Sequence, residues 1–290
     1  VDIRTANTYV GGLAGYAYSS STLKDVTARA TDGKRNTVTS SNGTQVGGIA
    51  GHLDGIGSDL TVMNTDVSAK SYAGGAIGFA QSNGGRPSER KLEHVTVGSP
   101  DETSSTPGVL LTSDGTAQPS VTVVSIEPQN GNATAERRYF GGVAGHGGSQ
   151  NMRDLNVYNT LVEMMTPMPN EADTGDYSYY VGGVFGSGGD GARECSIKNV
   201  TVASYGGWCG GITGSSTGMY HTVEDSVIYS ASENSKYVGG ISGYGGGIGR
   251  GLVKHSVIAG ATHVGGIVGQ QSGWTRECGV VDTIVLGKEN

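Results

Sequence analysis

The chain is poor in most of what marks a large globular core or a compact enzyme. It has 290 residues, three phenylalanines, two tryptophans and 35 % hydrophobic residues overall, little apolar bulk for a globular core of this size. Charged residues make up only 16 %, with a formal net charge of −7. The longest basic clusters are Lys34-Arg35 and Arg137-Arg138. The clustered cations that phosphate contacts need are therefore missing, and nucleic acid is not an expected partner. No run of 18 apolar residues occurs, so no membrane-spanning helix is expected. Convincing helical spacing is absent from every 11-residue window. Also missing are Cys-x-x-Cys, a His-x-x-x-His pair with partners, and a Gly-x-Ser-x-Gly elbow in a strand–turn–helix setting. Each absence removes a class of chemistry: structural zinc, metallopeptidase and serine hydrolase in turn.

What the chain has in quantity is glycine, 52 residues of it. An apolar-Gly-Gly-apolar-x-Gly hexapeptide accounts for 24 of these. It opens as Val10-Gly11-Gly12-Leu13-Ala14-Gly15 and recurs at Val46–Gly51 (Gly47, Gly48, Gly51), Ala73–Gly78 and Phe140–Gly145. Further copies are Val181–Gly186 (Gly182, Gly183, Gly186), Cys209–Gly214, Val238–Gly243 (Gly239, Gly240, Gly243) and Val264–Gly269. Four of the seven steps between copies are 26 to 29 residues, so the unit is about that long and longer steps carry insertions. The motif is too glycine-rich for a helix. A bend at the Gly-Gly pair lets both apolar side chains turn inward and lets one unit approach the next closely.

A second, β-branched segment follows in each unit, as in Leu23–Ala28, Leu92–Val97, Ile197–Val202, Val223–Ile228, Val253–Ile258 and Val280–Val285, and reads as a half-buried strand. Aligned this way, Asp25, His94, Asn199, Asp225, His255 and Asp282 fall in one polar column, expected to be a hydrogen-bonding ladder. Leu13, Ile49, Val184, Ile212, Ile241 and Ile267 are expected in the core, opposed by Val26, Val95, Val200, Val227, Val257 and Ile284. Immediately before the glycine motif stand Tyr9, Tyr72, Tyr139, Tyr180, Trp208 and Tyr237, with Gln45 and His263 in the other two copies. If the units stack in register these form an aromatic column. Facing inward or along a corner it is a stacking ladder; facing solvent it is a platform for sugars or a partner.

These residues resemble GLUG repeats, whose core stands here as Gly12-Leu-Ala-Gly15, Gly48-Ile-Ala-Gly51, Gly240-Ile-Ser-Gly243 and Gly266-Ile-Val-Gly269. The resemblance covers nearly the whole chain. It implies a module of large bacterial surface or secreted proteins, such as adhesins or the non-catalytic region of IgA-protease-like metallopeptidases. The His-Glu-x-x-His zinc motif of those peptidases has no counterpart here, so that activity does not carry over.

The repeats and the resemblance together lead to an expected all-β fold, a parallel β-solenoid (β-helix) of about eight coils forming a single domain over 1–290. Insertions are expected at about 99–139, with Val109–Ser113 and Val121–Glu127 as a projecting hairpin, at about 163–179, and at Arg29–Thr44. Cys195 and Cys278 hold matching places three units apart, roughly 14 Å at about 4.8 Å per unit, too far for a disulfide. A Cys195–Cys209 bridge stays open beside a reading of both as small buried hydrophobes. Gly186-Ser-Gly-Gly-Asp-Gly191 resembles half of a calcium-binding nonapeptide turn, in one copy only. Ser242 sits in a Gly-x-Ser-Gly string, but as an ordinary repeat position. Tyr244–Gly249 lacks the following helix and lysine of a phosphate loop.

The functional expectation is a non-catalytic structural or adhesive module, extracellular or on a bacterial cell surface, with no cofactor or metal. Its expected partners are a host-surface protein or glycan, and further copies through its uncapped ends; the missing caps also suggest an excerpt of a longer protein. A filament subunit and a β-helix polysaccharide lyase or hydrolase are the alternatives. The last would need paired acid–base residues beside a groove.

Overall fold

The computed structural model describes residues 1–81, 91–100, 119–126, 137–148, 151–164, 179–233 and 235–288. Among these the chain is all-β, without a helix, and its strands form two sheets of 24 and eight strands. Every strand pairing is parallel, and each strand pairs with its counterpart in the neighbouring units.

The eight-stranded sheet takes one strand from each glycine motif, including Tyr9–Gly11, Tyr72–Gly74, Trp208–Gly210 and His263–Gly265. Its register is unbroken, so Val10, Val46, Ala73, Phe140, Val181, Cys209, Val238 and Val264 form one column. The first seven are buried, because strand alternation turns this position into the core. The chain then bends at the second glycine and enters the larger sheet, in strands such as Ala14–Ala17, Ala50–Leu53 and Ile77–Ala80.

The second glycine of each motif lies against the next unit. A Cβ on Gly12, Gly48, Gly75, Gly142, Gly183, Gly211 or Gly240 would stand 2.1 to 2.2 Å from the carbonyl oxygen of the same glycine one unit on. None of these seven has a positive φ. Close backbone approach, rather than an unusual backbone conformation, is what demands glycine here.

At two corners of the stack left-handed backbone falls instead on non-glycine residues. Asp25, Asp59, His94, Asp154, Glu194, Tyr220, Arg250 and Glu277 occupy the first corner; Asn64, Asn159, Asn199, Asp225, His255 and Asp282 occupy the second. Their φ values run from 44° to 61°. Asp, Asn and His tolerate this region better than most residues. The single polar column expected from sequence is thus two columns on different corners, since both corners place a polar residue between similar β-branched strands. The register of the later units shifts accordingly. Val227 and Val257 pair in line with Thr201 on the outer face, while Val202, Ile228 and Ile258 point inward and are buried. Ile284, expected in the core, continues that outer line at 57 % exposure.

Ile49, Val184, Ile212 and Ile241 lie in the core as expected, with Val95 and Val200. Leu13, on the first unit, is 62 % exposed because nothing stacks over it. The insertions are also narrower than their sequence bounds. Val121–Ser125 is a strand of the large sheet, parallel to Thr65–Ala69 and Asn151–Met164, rather than one arm of a projecting hairpin; the other arm, Val109–Ser113, lies outside the described residues. Glu163 and Met164 end the strand Asn151–Met164, and Asn36–Ser40 within Arg29–Thr44 pairs with both Asp2–Thr5 and Thr65–Ala69.

Candidate functional site

The aromatic column sits on the eight-stranded sheet. Alternation with the buried column turns its side chains to the outer face. The rings stack on one another: Tyr72–Tyr139 at 4.8 Å between centroids, Tyr139–Tyr180 at 4.9 Å, Tyr180–Trp208 at 4.5 Å and Trp208–Tyr237 at 6.1 Å, all within 23° of parallel. These separations follow the parallel-strand spacing.

A second row lies beside it, from the residue after the last glycine of each motif. Tyr16–His52, His52–Phe79 and Phe79–His146 stack at 4.2, 5.3 and 4.8 Å. The rows meet edge to face, Tyr9 on Tyr16, Tyr72 on Phe79 and Tyr139 on His146. Where Gln45 interrupts the first row, His52 Nδ1 donates to Gln45 Oε1 at 2.6 Å. Burial lowers the pKa of His52 and of His146, which keeps both rings neutral and suited to stacking. Five of the eight residues after the motif, in the order Tyr16, His52, Phe79, His146, Ser187, Ser215, Tyr244 and Gln270, are rings, a signal the sequence already carried. Rings inside the ladder have their faces covered by neighbours, so a sugar cannot stack on them; their edges and the end rings Tyr9, 44 % exposed, and His263, also exposed, meet solvent.

Each corner column places one histidine between two carboxylates. His94 lies 3.3 Å from Asp59 and 3.9 Å from Asp154; His255 lies 3.5 Å from Asp225 and 3.8 Å from Asp282. Glu224, Asp225 and His255 bring three potential metal-ligating atoms within 4.8 Å of one another. Lys198 and Lys254 stand 3.3 and 3.2 Å from Glu224 Oε1, so the negative charge of this group is already paired.

The outer face of the large sheet holds a cleft of about 400 Å³ lined by Arg35, Asp66, Pro119, Thr122, Val124, Ser125 and Glu163. Arg35 grips Asp66 with two hydrogen bonds, Nε to Oδ2 at 2.8 Å and Nη2 to Oδ1 at 2.7 Å, and donates Nη1 to the Pro119 carbonyl at 2.8 Å. Burial raises the pKa of Glu163 above the ordinary carboxylate value.

The minor motifs resolve into packing. Asp190 accepts from Ser216 Oγ at 3.2 Å and from the Thr217 amide at 3.3 Å, fastening one turn to the next unit. Ser242 is fully buried and donates to the Tyr244 carbonyl at 2.8 Å, and Ser242–Gly249 is a strand rather than a loop. All three cysteines are free, so Cys195 and Cys209 are not bridged; burial raises both thiol pKa values, leaving them as small hydrophobes.

Residues 6–31 match the family model of the GLUG motif, the stretch that contains the first glycine hexapeptide and the strand after it. No curated protein and no solved structure matches the chain.

Proposed function

We propose that the chain is a parallel β-solenoid of about eight coils, one domain over 1–290, acting as a rigid spacer in a bacterial surface or secreted protein. The observation that carries this reading is the unbroken eight-fold register of the glycine-motif strands. Stacked units of this kind make length from few residue types, and each contacts chiefly its neighbours. The ring ladder and the glycine contacts stiffen the stack. No catalytic residue and no cofactor is assigned in this proposal. Its adhesive component, binding a host-surface protein or glycan, rests with the departures from the repeat, where the chain can vary without disturbing the stack.

The test is to duplicate one regular unit, residues 210–238, and follow length by small-angle scattering. The spacer reading expects a folded protein longer by one coil, about 4.8 Å. Unchanged length or loss of folding would exclude it. Adhesion is assayed separately, by binding of the purified chain to host cells with and without residues 101–118.

A further inference from the structure

The cleft on the large sheet sits where the repeat is most interrupted. The strand Val121–Ser125 joins residues 99–118 before it and residues 127–136 after it. Its neighbour Asn151–Met164 leads directly into residues 165–178, and Val124 pairs with Glu163 at the matching end. The breaks in the repeat on either side of Val121–Ser125 and after Met164 therefore begin or end beside one set of side chains. Regular units need no such arrangement, because their strands pass directly from one corner to the next.

The chemistry of that set is specific. Its volume, about 400 Å³, falls within the roughly 300–1,000 Å³ of small-molecule sites. The Arg35–Asp66 pair is a planar, pre-organised array of donors and acceptors, held by the backbone of Pro119 and thus rigid before any ligand arrives. Thr122, whose Oγ1 accepts from Arg35 Nη2 at 3.4 Å, and Ser125 add hydroxyls, while Val124 adds apolar surface beside the buried Pro119. Arg35 and Asp66 neutralise each other, and Glu163 leaves the cleft neutral to negative. An anionic ligand would find no unpaired cation there.

We propose that this cleft binds a neutral sugar residue, a hexose or N-acetylhexosamine unit of a glycan chain, with Glu163 and Thr122 bonding its hydroxyls and Val124 facing its C–H side. The carboxyl oxygens of Glu163 suit this role because they accept hydrogen bonds from sugar hydroxyls. The proposal rests on the adhesive part of the function proposed above and gives it a location and a ligand class.

The experiment is calorimetric titration of the full chain with N-acetyllactosamine, its sialylated form and oligogalacturonate. Binding of the first, at least about tenfold weaker binding of the two anionic forms, and about tenfold loss in Glu163→Leu at an unchanged melting temperature are expected. A control substitution outside the cleft, Glu233→Gln, should keep wild-type affinity. If Glu163→Leu fails to fold, Thr122→Val carries the same expectation. No binding of the neutral sugar by the folded chain, or binding indifferent to these substitutions, overturns the proposal. Binding to host cells that N-acetyllactosamine does not compete would leave the adhesive function standing and remove only the cleft. Loss of both removes both.

Discussion

The Gly183 amide donates to the carbonyl oxygen of Gly211 at 2.9 Å, and a Cβ on Gly183 would stand 2.1 Å from that same oxygen. One atom thus joins two units and forbids any side chain at the joint. Six other second glycines would bring a Cβ equally close to the next unit's carbonyl oxygen, and at Gly48 and Gly142 that oxygen also accepts from the glycine's own amide.

The final copy supplies an internal control. A Cβ on Gly266 would meet only the Val280 side chain, at 2.9 Å, and Val280 is 44 % exposed and can move. Gly183→Ala is therefore expected to cost about 3 kcal/mol or more, or to prevent folding, while Gly266→Ala costs less than about 1 kcal/mol. Equal effects in chemical denaturation would show that the contact is not what selects glycine.

The ring ladder makes a coupling prediction. Tyr180 and Trp208 stack at 4.5 Å and 15°. A double-mutant cycle of Tyr180→Ala and Trp208→Ala should give a coupling energy of about 0.5–1.5 kcal/mol, beyond the loss of each ring's own buried area. Strict additivity would mean that the rings stand in line without supporting one another.

The left-handed corners predict opposite responses to two substitutions at one site. Glu194 has a φ of 56° in a column otherwise rich in aspartate. Glu194→Gly should be neutral or raise the melting temperature slightly, whereas Glu194→Val should cost about 1–2 kcal/mol, because a β-branched side chain is disfavoured at positive φ. Thermal unfolding of the two variants decides it.

Acid sensitivity is expected from His221. Its imidazole is buried, and burial pushes its pKa down to about 4. The Cys195 amide points at Nδ1 from 3.4 Å, a contact that needs that nitrogen unprotonated. In the unfolded chain the pKa is about 6.5, so below that pH the unfolded state binds a proton that the folded state refuses. The stability from neutral His221 is complete above about pH 6.5 and is lost as pH falls toward 4, on the order of 3 kcal/mol in all. His221→Leu should flatten the slope of stability against pH in this window by about 1.4 kcal/mol per pH unit. An unchanged slope by urea denaturation across the window would place the proton elsewhere.

The GLUG-like repeat and the parallel stacking were legible in the sequence because they rest on local rules. Three glycines at constant spacing, an apolar residue on each side and a ring before them can be read without knowing what any unit touches. Tyr72, Tyr139, Tyr180 and Trp208 could be aligned by counting alone. Whether their faces were free or covered depends on the distance between units, which no single unit encodes. The two corners were beyond reach for a related reason: Asp25 and Asp225 sit in nearly identical local sequence, and only pairing with Asp59 and His255 in neighbouring units assigns them to different edges. The strand Val121–Ser125 was misplaced because it follows a long break in the repeat, and the parallel neighbours that claim it, Thr65–Ala69 and Asn151–Met164, lie far from it in the chain. Periodicity within a unit is a property of the backbone and its side chains and is written in the sequence; register between units, and every cleft that register creates, is set by which hydrogen-bonded neighbours meet in space.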